Sequence, residues 1–342
     1  MFFLGRTARW AAAKLLRIDQ GEVSFARRGF HASSPEACEH LEAMGRAFLA
    51  GYHAALDAPD LEQLGDRLSA IEGGTRGFAF EGAAMALALL DRLLPSRGSR
   101  WQAFLAGAGS CHSYVLHVGY GWALARLPWL RRRAAKEVER FDPYLRWLVL
   151  DGFGFHEGFF HARRFVDSAE VPARLTGRAL CAFDQGLGRS LWFSAGADVA
   201  RIKQLVDALA PARRADLWSG VGLACAYAGD AREPELAQLS EAAGTHRLHL
   251  CQGITFAAEA RHLASIPACH TERACRVLMG MDAETAARLT YSARNRIGSN
   301  TPRDAFYELW RSNVRDCLQE DRFPDGNHSV PEPFAVRPDH LS

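Results

Sequence analysis

Along most of the chain, apolar residues run in Ala- and Leu-rich stretches. The period-two alternation of β-branched residues that marks half-buried strands is scarce, so the pattern predicts an all-α protein. Glycines punctuate these stretches at regular intervals. "HVGYGWA" begins at residue 117, "LDGFGFH" at 150, "DQGLGRS" at 184, "WSGVGLA" at 218 and "CQGITFA" at 251. Their first glycines, Gly119, Gly152, Gly186, Gly220 and Gly253, are separated by 33, 34, 34 and 33 residues. Gly82 in "FEGAAMA" and Gly51 in "LAGYHAA" continue the series upstream at intervals of 37 and 31.

A period of roughly 34 residues accommodates two helices and two turns, as in tetratricopeptide repeats. Pro95, Pro234 and Pro267 follow their glycines by 13, 14 and 14 residues, where a first helix should end. About six to seven such pairs are expected, stacked as a tetratricopeptide-like solenoid or closed into an α/α toroid. The glycines have a packing explanation. Ala123, His156, Ser190, Ala224 and Ala257 stand four residues after the first glycines. Together they form a stripe of mostly small residues that lets a neighbouring helix approach closely, offsetting the ~1 kcal/mol that glycine costs a helix interior. A dinucleotide-binding reading of G-x-G fails, because no strand precedes it, the third glycine is missing and the motif repeats.

The repeats act as controls for one another. His156 stands where the siblings have Ala or Ser, Glu157 where they have Leu, Cys or Ala, and Arg189 where they have Trp122, Phe155, Leu223 and Phe256. The position before each first glycine is Glu81, Val118, Asp151, Gln185, Ser219 and Gln252, polar in five of six cases. It shares a helix face with the residue four later, so this face either lines a groove or cavity with polar groups and aromatic walls, suited to an apolar ligand, or bonds to adjacent turns and faces solvent. His117 and Asp184, two residues before their glycines, join the same expected lining. In "DGFGFHEGFFH", Glu157 and His161 share a helical face and could hold a proton-transfer pair near neutral pH. Asp151 is a further acid candidate. His156 and His161, five apart, project to different faces of an ideal helix, so this is not the H-E-x-x-H zinc motif. Cys269, His270 and Cys275 lack a second pair, and His246 with His249 lacks a carboxylate at ligand spacing; neither a metal nor a cofactor is expected.

Composition adds limits. The net charge of +2 is too small to argue for a nucleic-acid partner. Eight cysteines without C-x-x-C spacing read as buried thiols of a reducing cytoplasm. No apolar run reaches the roughly 20 residues that span a bilayer. Residues 1–18 carry Arg6, Arg9, Lys14 and Arg17 beside Phe2, Phe3, Trp10, Leu15 and Leu16, which suits a docking or capping helix or a peripheral membrane contact. The chain therefore divides into an N-terminal segment, 1–30, a single helical domain, 31–320, and an extended tail, 321–342.

"EVSFARRGF", "RGFAFEGAAMALALLD", "HVGYGWALARLPW", "DGFGFHEGFF", "DQGLGRSLWF" and "LWSGVGLACAYAGD" together resemble a bacterial family of unassigned biochemical function. Its members occur in natural-product gene clusters, notably those for enediyne polyketides. The resemblance runs from about residue 20 to 320 and brings no catalytic residues with it. It implies a role in specialised-metabolite biosynthesis. The expectation is an enzyme of the cyclase, isomerase or lyase kind, holding a polyene-like ligand and using acid/base groups. The alternative is a non-catalytic scaffold that binds a pathway protein.

Overall fold

The computed structural model describes residues 13–94 and 98–320, and every regular element among them is helical. Pro95, most of the basic N-terminal stretch and the tail from residue 321 lie outside the described residues. Nine longer helices organise the chain: α1 Pro35–Asp57, α2 Gly73–Leu93, α3 Ser113–Arg126, α4 Arg146–Phe160, α5 Arg178–Ser194, α6 Arg214–Ala228, α7 Arg247–Leu263, α8 Ala283–Asn295 and α9 Phe306–Glu320. Each packs against the one before and the one after it.

Helices α2 to α7 are buried over most of their surface. Every residue from Gly77 to Leu90 of α2, from Leu148 to Phe159 of α4 and from Asp216 to Ala228 of α6 is buried. Helices of that kind belong in an interior. Shorter helices between them are amphipathic and form an outer row. Val199, Ile202 and Val206 make the buried stripe of Val199–Ala208, and Leu236, Leu239 and Ala243 that of Glu233–Ala243. Ser34 caps α1 by accepting from the Ala37 N–H, and Asp60, Asp198 and Asp282 cap their helices likewise. Pro234 does not terminate α6, which ends at Ala228; it occupies the first turn of Glu233–Ala243, where its missing N–H costs nothing.

The recurring glycines are contact points between backbones. A methyl group at Gly119 would be driven into the Glu81 carbonyl, at Gly152 into that of Val118, at Gly186 into Asp151, at Gly220 into Gln185 and at Gly253 into Ser219. The second glycines face the next helix: Gly121 meets the Val149 carbonyl, Gly154 Phe183, Gly188 Leu217 and Gly222 Leu250. Each G-x-G therefore clamps one helix to the preceding helix through its first glycine and to the following one through its second.

The two ends of this row also meet. Arg261 of α7, itself buried, donates to the Gly74 carbonyl of α2 at 3.1 Å. His40 of α1 donates to the Ala228 carbonyl at the end of α6 at 2.7 Å. Helix α9 lies across the other end, with Trp310 donating to the Thr290 carbonyl at 2.8 Å and Phe306 stacked 4.8 Å from Tyr144. Residues 13–30 lie on α1, where Tyr52 donates to the Leu16 carbonyl at 2.7 Å and Arg17 pairs with Asp57 at 3.1 Å. Among the described residues no helix is long and apolar enough to cross a membrane. Among the described residues no disulfide joins any two cysteines; Cys225, Cys251, Cys275 and Cys317 are buried, whereas Cys111 and Cys269 are exposed.

Candidate functional site

The polar positions that precede the glycines do not line an open groove. Glu81, Asp151, Gln185, Ser219 and Gln252 are fully buried, and four of them bond to one another across consecutive helices. The Gln185 amide nitrogen donates to Asp151 at 2.8 Å. The Ser219 hydroxyl lies 3.2 Å from the Gln185 carbonyl oxygen and 3.3 Å from that of Gln252. Helix α9 completes the ladder: the Gln185 amide also reaches the Tyr307 hydroxyl at 2.9 Å, and Arg311 donates to Gln252 at 3.1 Å and to Asp216 at 2.7 Å. Buried polar groups need partners, and the repeat supplies them from equivalent positions one helix away.

Glu81 stands apart from this ladder. It is wholly buried, and neither carboxylate oxygen has a hydrogen-bond partner. Arg189 approaches it at 3.7 Å, but that guanidinium is committed to Asp151 and lies 4.6 Å over the Phe155 ring. Burial pushes the Glu81 carboxyl up to about 7; Arg189 opposes the rise, the charge of Asp151 adds to it, and Trp122 opposes it weakly. Glu81 borders an apolar cavity of about 40 Å³ whose walls include Trp122, Phe155, Phe159 and Met85. Val23, Phe25 and Phe30 of the N-terminal segment line its other side. Phe25 is held there by its N–H donating to Glu42 at 2.8 Å, and Phe30 by an edge-on contact with Phe159 at 4.9 Å.

A second cluster sits at the end of α4. Glu157, fully buried, faces the His156 Nδ1 at 3.4 Å, the His161 Nδ1 at 3.2 Å and the Arg131 guanidinium at 3.1 Å. Burial would raise the Glu157 carboxyl, but the two imidazoles and Arg131 outweigh it and hold the group at about 2. His156 is lowered by burial, with Glu157 working against that shift. The ideal-helix projection that separated His156 from His161 is corrected here. Helix α4 ends at Phe160, and His161 adopts φ −129° and ψ 38°, which swings its ring to within 5.8 Å of the His156 ring. The His156 ring packs on Trp122 and Phe160, so the cluster lies behind the aromatic wall of the cavity.

Residues 7–318 match a family described as Protein of unknown function (DUF1702). The chain belongs to this family. No curated protein and no solved structure matches it. The DUF1702 match covers the polar ladder, the cavity and the histidine cluster alike.

In this DUF1702 chain, then, Glu81, Trp122 and Phe155 border the cavity, with Arg189 and Asp151 immediately behind, while His156, Glu157 and His161 form a cluster of their own. The remaining expected lining residues lie elsewhere. His117 donates to the Ser113 carbonyl at 2.6 Å among the rings of Trp101 and Phe141. Asp184 accepts from the Arg213 Nε at 2.9 Å; burial lifts its carboxyl to about 6 against the pull of Arg213. Gln252 belongs to the ladder, and Phe256 packs on Trp310 at 4.8 Å. Sequence reasoning missed the buried partners Arg213, Asp216, Arg311 and Tyr307, because charged residues on helices ordinarily read as solvated. It also missed the place of Phe25 and Phe30 in the cavity lining, although "EVSFARRGF" was conspicuous as a motif.

Proposed function

We propose that this DUF1702 protein takes up an elongated apolar molecule of the polyene or isoprenoid class, and that Glu81 donates the proton that starts its cyclisation. The observation that carries the reading is a fully buried carboxyl, without hydrogen-bond partners and raised to about 7, at the wall of an aromatic cavity. A neutral carboxylic acid in an apolar site is a competent proton donor at physiological pH. As the Glu81 O–H bond breaks, a C–H bond forms at one carbon of a double bond and a cation develops at the other. The faces of Trp122 and Phe155 stabilise that cation. A neighbouring double bond attacks it, forming the new C–C bond, and loss of a proton from an adjacent carbon to the Glu81 carboxylate restores the acid and leaves an alkene. Arg189, held by Asp151, limits the charge that builds on Glu81 between these steps.

At about 40 Å³ the cavity admits only the end of such a chain, since ligand pockets typically measure about 300–1,000 Å³. Residues 18–30 therefore move aside for entry. In this reading the helix pairs, each roughly 34 residues long, form a closed α/α toroid around the ladder, and contacts of α2 with α7 support closure. The motif resemblance supports a setting in bacterial specialised metabolism for this reaction.

Native mass spectrometry after exposure to an apolar extract of the producing cells tests the reading. Wild-type protein is expected to retain an apolar molecule and to convert it, whereas Glu81→Gln retains the same molecule unconverted. Equal conversion by both proteins, or the absence of any apolar adduct, refutes it.

A further inference from the structure

We propose that His156, Glu157 and His161 form a binding site for a divalent first-row transition-metal ion. The proposal is independent of the role given to Glu81. Two imidazole nitrogens and one carboxylate are the donor set of many zinc, iron and cobalt sites. Their donor atoms all lie within 4.8 Å of one another. Metal–ligand bonds of about 2.0–2.2 Å place neighbouring donors on one ion roughly 3 Å or a little more apart. The Glu157 oxygens stand 3.4 Å from the His156 Nδ1 and 3.2 Å from the His161 Nδ1, which fits that spacing.

Two further observations point to a ligand. The His156 Nδ1 and the Glu157 Oε1 are buried and have no hydrogen-bond partner, although they face one another. They stand 3.4 Å apart without hydrogen-bond geometry, an arrangement that a shared cation would satisfy. The Glu157 carboxylate is wholly buried and the His156 ring nearly so, so an ion held between them would be shielded from water on that side. His161, with 47% of its side chain exposed, provides the route by which an ion arrives and leaves one side of the site open.

Arg131 is the competing group. Its guanidinium lies 3.1 Å from the Glu157 Oε2 and supplies positive charge to the same carboxylate. It projects from the short helix Pro128–Arg131 and is 32% exposed, so it can turn to solvent when an ion enters. Removing it should strengthen metal binding, whereas removing a ligand should weaken it. That opposition of sign separates an ion site from a merely structural ion-pair cluster.

The test uses the full chain, stripped with a chelator and titrated with Co²⁺ followed by visible absorption, and with Zn²⁺ followed by calorimetry. The expected result is one ion per chain with the d–d bands of imidazole and carboxylate ligation. His161→Ala should weaken binding by more than the roughly 10–100-fold typical of losing an outer hydrogen-bond partner. His161 is half-exposed, so an unchanged circular dichroism spectrum is expected to show that the variant folds. Arg131→Ala should tighten binding. Failure of the Co²⁺ bands to develop, or equal affinity in wild type and His161→Ala, overturns the proposal; the latter would place the ion elsewhere, for example at His246 and His249. Glu81→Gln is expected to leave the titration unchanged, so failure of the cyclisation reading and failure of this one are separately visible.

Discussion

Replacing Glu81 by Gln should change the way stability depends on pH more than it changes stability itself. The carboxyl moves from an ordinary glutamate value of 4.5 to about 7 on folding. The native state therefore binds the proton more tightly than the unfolded chain. The stabilisation this provides is complete below pH 4.5 and is lost as pH rises through about 7. Moving the carboxyl from 4.5 to about 7, at about 1.36 kcal/mol per pH unit, amounts to ~3 kcal/mol. The groups facing Glu81 are Arg189, Asp151, Trp122 and Tyr227.

The assay is urea denaturation of wild type and Glu81→Gln in parallel between pH 4 and pH 8. Subtracting the two stability curves removes the other carboxylates, because both proteins carry them. Any change in the contact with Arg189 adds an offset that does not vary with pH. The Gln variant is expected to gain on wild type by ~3 kcal/mol across this window, with most of the rise between pH 4.5 and 7. A difference curve that stays flat to within about 0.5 kcal/mol would show that Glu81 ionises normally in the folded protein. The proton donor assigned to the cavity would then be gone.

Other substitutions test the packing. Arg189→Met leaves Asp151 buried without its cation and should cost ~3–5 kcal/mol by chemical denaturation; a loss below about 1 kcal/mol would mean the ion pair contributes little. Gly119→Ala drives a methyl into the Glu81 carbonyl and should cost ~3 kcal/mol or more, at the upper end of overpacking. Gly74→Ala has nothing within 4 Å of the new methyl and should be neutral or stabilising by up to ~1 kcal/mol, the helix-propensity gain. Equal effects at the two glycines would refute the close-packing argument.

The sequence carried the helical class and the meaning of its glycines, because both are local properties repeated many times. Composition excludes half-buried strands, and one spacing recurring at four G-x-G pairs leaves helix-to-helix contact as the simplest cause. The polar series before the glycines was equally visible, but its environment was not. Whether Gln185 and Gln252 face a ligand or each other depends on α9, which brings Tyr307 and Arg311 from 122 and 59 residues away. Nothing local marks those two side chains as interior. The histidine cluster was misjudged for a different reason. The 100° step per residue holds only while the helix lasts, and α4 stops one residue before His161.

Comparison among the sibling repeats also explains why Glu81 lacks a partner. The ladder is continuous from Asp151 through Gln185 and Ser219 to Gln252, where consecutive helices each contribute a polar residue. The helix between Glu81 and Asp151 contributes Val118, which is 4% exposed and carries no donor. Gly119 holds that helix against the Glu81 carbonyl, so Val118 occupies the register at which a rung would stand between the two acids. Its nearest cation, Arg189, reaches back from α5, and at 3.7 Å it makes no hydrogen bond. Val118→Thr keeps the shape and adds a hydroxyl at the gap. A donor to the ionised carboxylate favours the charged form, so the Glu81 pKa should fall from about 7 toward its ordinary value. In the Val118→Thr background, the rise in the Glu81→Gln difference curve should shrink well below ~3 kcal/mol. Proton donation in the cavity should weaken in parallel, while Asp151 and the rest of the ladder stay as they are. If the rise keeps its full size, the valine is not what isolates Glu81, and the elevated carboxyl must arise from burial in the cavity wall alone.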